Sequence, residues 1–103
     1  MVSVVSDFDW DEGNCGKCAR HGVSLVEIEA LFQGNPQVAP DIRNPHQDER
    51  FIAMGRNAEG RPLLVGFTLR IVDGRTLIRP ITARYMHAKE IRAYEAQSSQ
   101  TEK

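Results

Sequence analysis

Cys15 and Cys18 stand three apart, and His21 follows three further on, in the stretch NCGKCARHGVS. Side chains of these types at this spacing could begin a zinc site or form a redox dithiol. A structural zinc site takes four ligands, usually two cysteine pairs or two cysteines with two histidines. The sequence holds no second cysteine pair, and His46 and His87 stand at no diagnostic spacing. A redox dithiol needs Cys15-Gly16-Lys17-Cys18 to open a helix after a strand in a thioredoxin-like setting. The local order fits that loosely, but the antiparallel meander read downstream does not. The pattern therefore favours two small, semi-apolar side chains on a helix in a reducing compartment. Lys17 and His21 lie four apart, so one continuous helix would bring them to a single face. His21, whose side chain ordinarily titrates near neutral pH, is then a candidate acid or base.

The second concentration of chemistry is cationic. Net charge is −1, yet residues 1–49 carry three Lys/Arg against nine Asp/Glu, and residues 50–92 carry nine against three. Eight of those nine cations are arginines: Arg50, Arg56, Arg61, Arg70, Arg75, Arg79, Arg84 and Arg92. The planar guanidinium suits two-pronged contact with phosphate or carboxylate, which lysine cannot offer. Such a half-chain is either a set of solvent-facing strand residues or a basic face for RNA or an acidic partner.

The elements that must position these residues are those of one small domain. The chain has 103 residues and 41% hydrophobic content, enough for one modest core. No apolar run approaches the roughly 18–20 residues of a membrane helix. The acidic start, MVSVVSDFDWDE, lacks the positive region of a signal peptide, so a reducing cytosol is expected. Residues 3–10 alternate as a short first strand, and a helix is expected across DEGNCGKCARHG, stopped by Gly22 in a left-handed conformation. VSLVEIEALFQGNP is the clearest helix: Ser24 and Glu27 form a capping box, Val23 and Ile28 a hydrophobic staple, and Leu25, Ile28, Leu31 and Phe32 an apolar face. A short extended segment and loop follow in QVAPDIRNPHQDE. Three strands come next, RFIAMGRN, RPLLVGFTLRIV and RTLIRPITAR, the last two joined at Asp73-Gly74, a two-residue hairpin turn. Pro80 cannot donate a ladder hydrogen bond, so its strand is an edge or is bulged there. MHAKEIRAYEAQ is a closing helix with Ile91, Tyr94 and Ala88 facing inward. The expectation is an α+β fold: an antiparallel sheet of about four strands, two N-terminal helices and one C-terminal helix, a single domain over 1–97 with a fraying polar tail at 98–103.

Taken together, FDWDEGN, HGVSLVEIEALF, ERFIAMGRNAEGRPLLVGFTLR and ITARYMHAKEIRAYE resemble, in order and spacing, the BrnT toxins of bacterial type II toxin–antitoxin systems. The resemblance runs from about Phe8 to Glu95 and implies a RelE-like fold, with the cysteines as incidental fill in its first helix. It further implies a cytosolic endoribonuclease that halts growth by cutting RNA, on or off the ribosome, without a metal or organic cofactor. Its partner would be a BrnA-like antitoxin with a ribbon-helix-helix domain, through which alone the toxin would meet operator DNA. Metal-free cleavage uses the substrate's own 2′-hydroxyl as nucleophile, and the protein must take its proton, stabilise the phosphorane and help the 5′-oxygen leave.

Arg84 matches the arginine of the family's Ser-Ala-Arg motif, with Thr82 in the serine's place, and is the first candidate to clamp the scissile phosphate; an ion pair with Glu90 or Glu95 is its alternative role. Arg56, at the end of RFIAMGR, is second. Lys17 and His21 follow, and Glu49 and Tyr94 match family positions. Arg50, Arg70, Arg79 and His87 are candidates for RNA contact. Met86 and His87 replace the small residue and hydroxyl usual before the last helix, which weakens its N-cap. A reading of a different class keeps the fold without the catalysis: an inactive relative that uses its arginine face to hold a protein partner.

Overall fold

The computed structural model describes residues 7–41 and 49–101. Its elements are α1 (Glu12–Ala19), α2 (Leu25–Gln33), β1 (Gln37–Pro40), β2 (Phe51–Arg56), β3 (Pro62–Val72), β4 (Arg75–Tyr85) and α3 (Ala88–Thr101). The four strands form one antiparallel sheet in the order β1-β2-β3-β4. The expected α+β class, with two helices before the sheet strands and one after, is what the chain adopts.

Local chemistry accounts for most boundaries. Asp73 and Gly74 have φ of 53° and 77°, the left-handed pair that a tight hairpin turn demands, so β3 and β4 pair with Val72 opposite Arg75. Ser24 Oγ accepts from the Glu27 amide at 3.1 Å, and the Ser24 amide donates to Glu27 Oε1 at 2.9 Å, closing the box that starts α2. Val23 and Ile28 are both buried beside it, as a staple requires.

Pro80 satisfies both expectations for it. β4 is an edge of the sheet, and its pairing slips where Gly66 faces Thr82 but Phe67 faces Pro80, leaving Ile81 as the extra residue of a bulge. Along the outer side of β4 the expected first strand shrinks to one parallel bridge between Phe8 and Ile78. The Asp9 amide donates to the Ile78 carbonyl at 2.8 Å, and the Ile78 amide donates to the Asp7 carbonyl at 3.0 Å. Residues 3–6 of that expected strand, and the loop with Pro45 and His46, lie outside the described residues.

The core sits on one face of the sheet. Leu63, Val65 and Phe67 of β3 point into it with Ala53, Ile78 and Ala83, beneath Cys18 of α1, Val23, and Ile28 and Leu31 of α2. Phe32 bridges Phe8 and Phe67 edge-on, with ring centroids 5.8 and 4.9 Å away. Gly55 lets α2 come this close, because a Cβ there would run into Leu31 Cδ1. By strand alternation, Leu64, Gly66, Thr68 and Arg70 point to the opposite face. The closing helix continues past Gln97 to Thr101, and residues 102–103 lie outside the described residues. Ala88, expected to face inward, is exposed, since it occupies the first turn, beyond the edge of the sheet.

Candidate active site

The start of α1 is built by two residues of one turn, Asp11 and Asn14. Asp11 Oδ1 accepts from the Asn14 amide at 3.0 Å, and the Asp11 amide donates to Asn14 Oδ1 at 2.7 Å. The Asn14 side-chain nitrogen then donates to the carbonyls of Asp9 at 2.8 Å and Pro80 at 2.9 Å. Asn14 is buried, so one amide ties the N-terminal arm, α1 and the bulge of β4 together in a place shielded from water. Asp11-x-x-Asn14 is a capping box of unusual residue types; that spacing was the signal available in the sequence for these two residues.

Against this wall a cleft of about 630 Å³ opens. Lys17 lines it from α1, Glu49 and Arg50 from the run-in to β2, Thr68 and Arg70 from β3, and Arg79 and Ile81 from β4. Thr68 Oγ1 donates to the Glu49 carbonyl at 2.8 Å, which fixes the run-in across the sheet. Arg70 Nη1 and Arg79 Nη1 both donate to Asp9 Oδ2, at 2.9 and 3.1 Å, and Arg79 Nη2 donates to Asp11 Oδ2 at 2.9 Å. The Asn14 amide, and then Arg79, hold the Asp11 carboxyl below its usual range, while Asp11 and Asp9 hold Arg79 above its own. Lys17 and Arg50 carry no ion pair among the described residues. A carboxylate among four cations can accept a proton from a hydroxyl while its neighbours hold a phosphate.

A second, more apolar recess of about 250 Å³ lies further along the same sheet face, between Ile52, Met54 and Leu64 and the inner side of α3. Leu64 and Thr68 mark the two sites, about 13 Å apart along β3. Arg84 lies at this second site, and both arms of its guanidinium are engaged: Nη1 donates to Glu90 Oε1 at 2.8 Å and Nη2 to Oε2 at 2.7 Å. Arg84, with the His87 amide behind it, holds the Glu90 carboxyl at about 2. Arg56 donates to the Gly60 carbonyl and to Glu95 Oε2, at 2.9 and 2.8 Å, and lies 5.6 Å from the Tyr94 ring centroid. Arg56, Arg84 and Tyr94 thus anchor α3, and Glu90 supplies half of the cap that His87 lacks, accepting from its amide at 2.9 Å.

Lys17 and His21 do not share a helix face: α1 ends at Ala19, and His21 sits exposed in the turn before Gly22, whose φ is 87°. Neither His21 nor His87 lines either recess. Cys18 is buried in the core, and burial followed by the neighbouring Cys15 pushes its thiol up to about 11. That keeps it protonated and inert at neutral pH. A further polar knot went unread in the sequence. Glu27 Oε2 accepts from Asn57 and from the Tyr85 hydroxyl, at 2.9 and 2.8 Å. Burial pushes Glu27 up, but these bonds and those from Ser24 outweigh it and hold the carboxyl at about 2.

Residues 10–90 match the family described as the ribonuclease toxin BrnT of type II toxin–antitoxin systems. The chain belongs to the BrnT family. A search of curated proteins finds no match. The family match spans α1, both ends of the Lys17–Arg79 cleft and the Arg84–Glu90 pair, and stops before Tyr94. Membership makes the chain a ribonuclease toxin of a type II system, with RNA as substrate class and an antitoxin as partner. Among the described residues, no helix is long and apolar enough to cross a membrane.

Proposed function

We propose that this BrnT toxin is a metal-independent endoribonuclease and that the Lys17–Arg79 cleft is where it cuts. The observation that carries the reading is convergence: Lys17, Glu49, Arg50, Arg70 and Arg79 come from four segments of the chain and line one recess. Glu49 takes the proton of the substrate's 2′-hydroxyl, and the freed oxygen attacks the adjacent phosphorus. Lys17 and Arg50 hold the charge that builds on the phosphorane, and Lys17 returns a proton to the departing 5′-oxygen. The products are a 2′,3′-cyclic phosphate and a 5′-hydroxyl. Arg84 and Arg56 act here as positioning residues that fix α3 over the second recess, and a BrnA-like antitoxin blocks the cleft in the cell.

The test uses purified protein freed of antitoxin, an end-labelled RNA and a chelator. The wild type is expected to yield fragments ending in cyclic phosphate, and Glu49→Gln to slow their formation by about 10²–10⁴-fold. Arg50→Gln is expected to cost far more activity than Arg84→Gln. A larger loss in Arg84→Gln would return the scissile phosphate to the second recess. Silence of the wild type on free RNA and on translating ribosomes would leave the partner-binding reading, which the internal pairing of Arg56, Arg70, Arg79 and Arg84 also favours.

A further inference from the structure

The stretch DFDWD alternates acid and aromatic, and its two sides do different work. Phe8 and Trp10 pack against the core, and the Trp10 indole donates to Glu29 at 2.9 Å. Asp7, Asp9 and Asp11 turn the other way, and each meets an arginine of the β3–β4 hairpin: Asp7 pairs with Arg75, Asp9 with Arg70 and Arg79, and Asp11 with Arg79. Two of those arginines line the cleft. Two of its three guanidinium forks are therefore already occupied by the chain's own carboxylates.

We propose that Asp9 and Asp11 occupy phosphate subsites of the cleft, and that the RNA backbone enters by displacing them from Arg70 and Arg79. This rests on the reading of the cleft as the RNA site. One oxygen, Asp9 Oδ2, accepts from two guanidinium groups at 2.9 and 3.1 Å, as a phosphate oxygen between paired arginines does. Displacement needs no unfolding. The Asp9 backbone is pinned separately, its amide to Ile78 and its carbonyl to Asn14, so the carboxylate can swing out while the arm stays in place. The Arg70–Asp9 and Arg79–Asp11 pairs each have one side chain about half exposed, at 53% and 52%, and pairs open to water on one side are weakly held; the Arg79–Asp9 pair is the more shielded of the three and the last to yield. A single small anion offers little over the tethered carboxylate. A strand with several phosphates gains at each contact, so the arm admits polyanions and rejects isolated ones. Of the nine acids in residues 1–49, the three in the arm are spent locally on the hairpin arginines.

The experiment measures binding of a fluorescent 2′-O-methyl RNA, which lacks the nucleophile and stays intact, by anisotropy over a range of salt. Asp9→Asn is expected to tighten binding about threefold to tenfold, the range of an exposed ion pair. The double variant with Asp11→Asn should also steepen the salt dependence, by about one phosphate contact or 0.7 in slope. Asp7→Asn, at the hairpin tip, should change neither. Asp11→Asn alone keeps a good N-cap residue and is read the same way if Asp9→Asn melts early. Equal or weaker RNA binding by folded Asp9→Asn, or by Asp11→Asn in its stead, overturns the proposal and makes the arm a brace for the arginines. Lys17→Gln and Arg50→Gln test the cleft itself: if they leave RNA binding intact, the site reading has failed, whatever the aspartates do.

Discussion

The helices α1 and α3 both meet β4, and they are attached in opposite ways. α1 buries Asn14 and Cys18, one saturated with hydrogen bonds and the other packed in the core. α3 buries no described side chain; it hangs on the Arg84–Glu90 and Arg56–Glu95 pairs and on the Tyr94 ring. Hydrogen bonds shielded from water lose little to competition, whereas ion pairs at a surface compete with water and salt. One side of the sheet is thus a fixed wall against which Lys17 is aimed, and the other is a helix that can loosen without unfolding the domain.

The sharpest way to break this contrast is Asn14→Ala. It removes a cap and leaves the Pro80 carbonyl unpaired, and should cost about 3 kcal/mol in chemical denaturation. A loss under about 1 kcal/mol would mean that α1 is held by its apolar contacts alone. Next in size, Cys18→Ser should cost about 1–2 kcal/mol by placing a hydroxyl in the core. Cys15→Ser, on the half-buried side of the same helix, should stay within about 0.5 kcal/mol.

At α3 the effects are smaller and local. Arg84→Met should lower global stability by no more than about 1 kcal/mol, yet speed hydrogen exchange across α3 and leave α1 unchanged. Acid should loosen α3 as well. Glu90 titrates at about 2 against an ordinary 4.5, so its pairing contributes fully above about pH 4.5 and is lost as the pH falls toward 2. Exchange in α3 should therefore quicken over that window, and Glu90→Gln should abolish this pH dependence. Acid quickening of α3 that persists undiminished in Glu90→Gln would mean that this pair does not hold the helix.

How far the sequence could be read follows the range of the forces involved. Ser24 and Glu27, Asp73 and Gly74, and Gly22 act over at most a few residues, and each was legible and stands as read. Pro80 was legible as a constraint, edge or bulge, because a missing N–H has the same consequence in any fold. The Lys17–His21 pairing failed because it assumed a helix that runs on to His21, and α1 stops at Ala19. Asp11-x-x-Asn14 went unread because its boxed residues are aspartate and asparagine, not the common serine and glutamate.

The sequence alone determined the family, the α+β class, the start of α2 and the hairpin turn, since capping, turn conformation and apolar alternation are settled between near neighbours. Only the tertiary structure decided which arginines face the cleft and which are spent on α3. Arg84 had two acidic neighbours within reach and took Glu90; Arg79 reached across 70 positions of sequence to Asp9. Those choices depend on the register of β3 against β4, the single extra residue at Ile81 and the line taken by the arm along the sheet edge. Such pairings are set by where the packed core leaves each backbone segment, and no local pattern of residues encodes that.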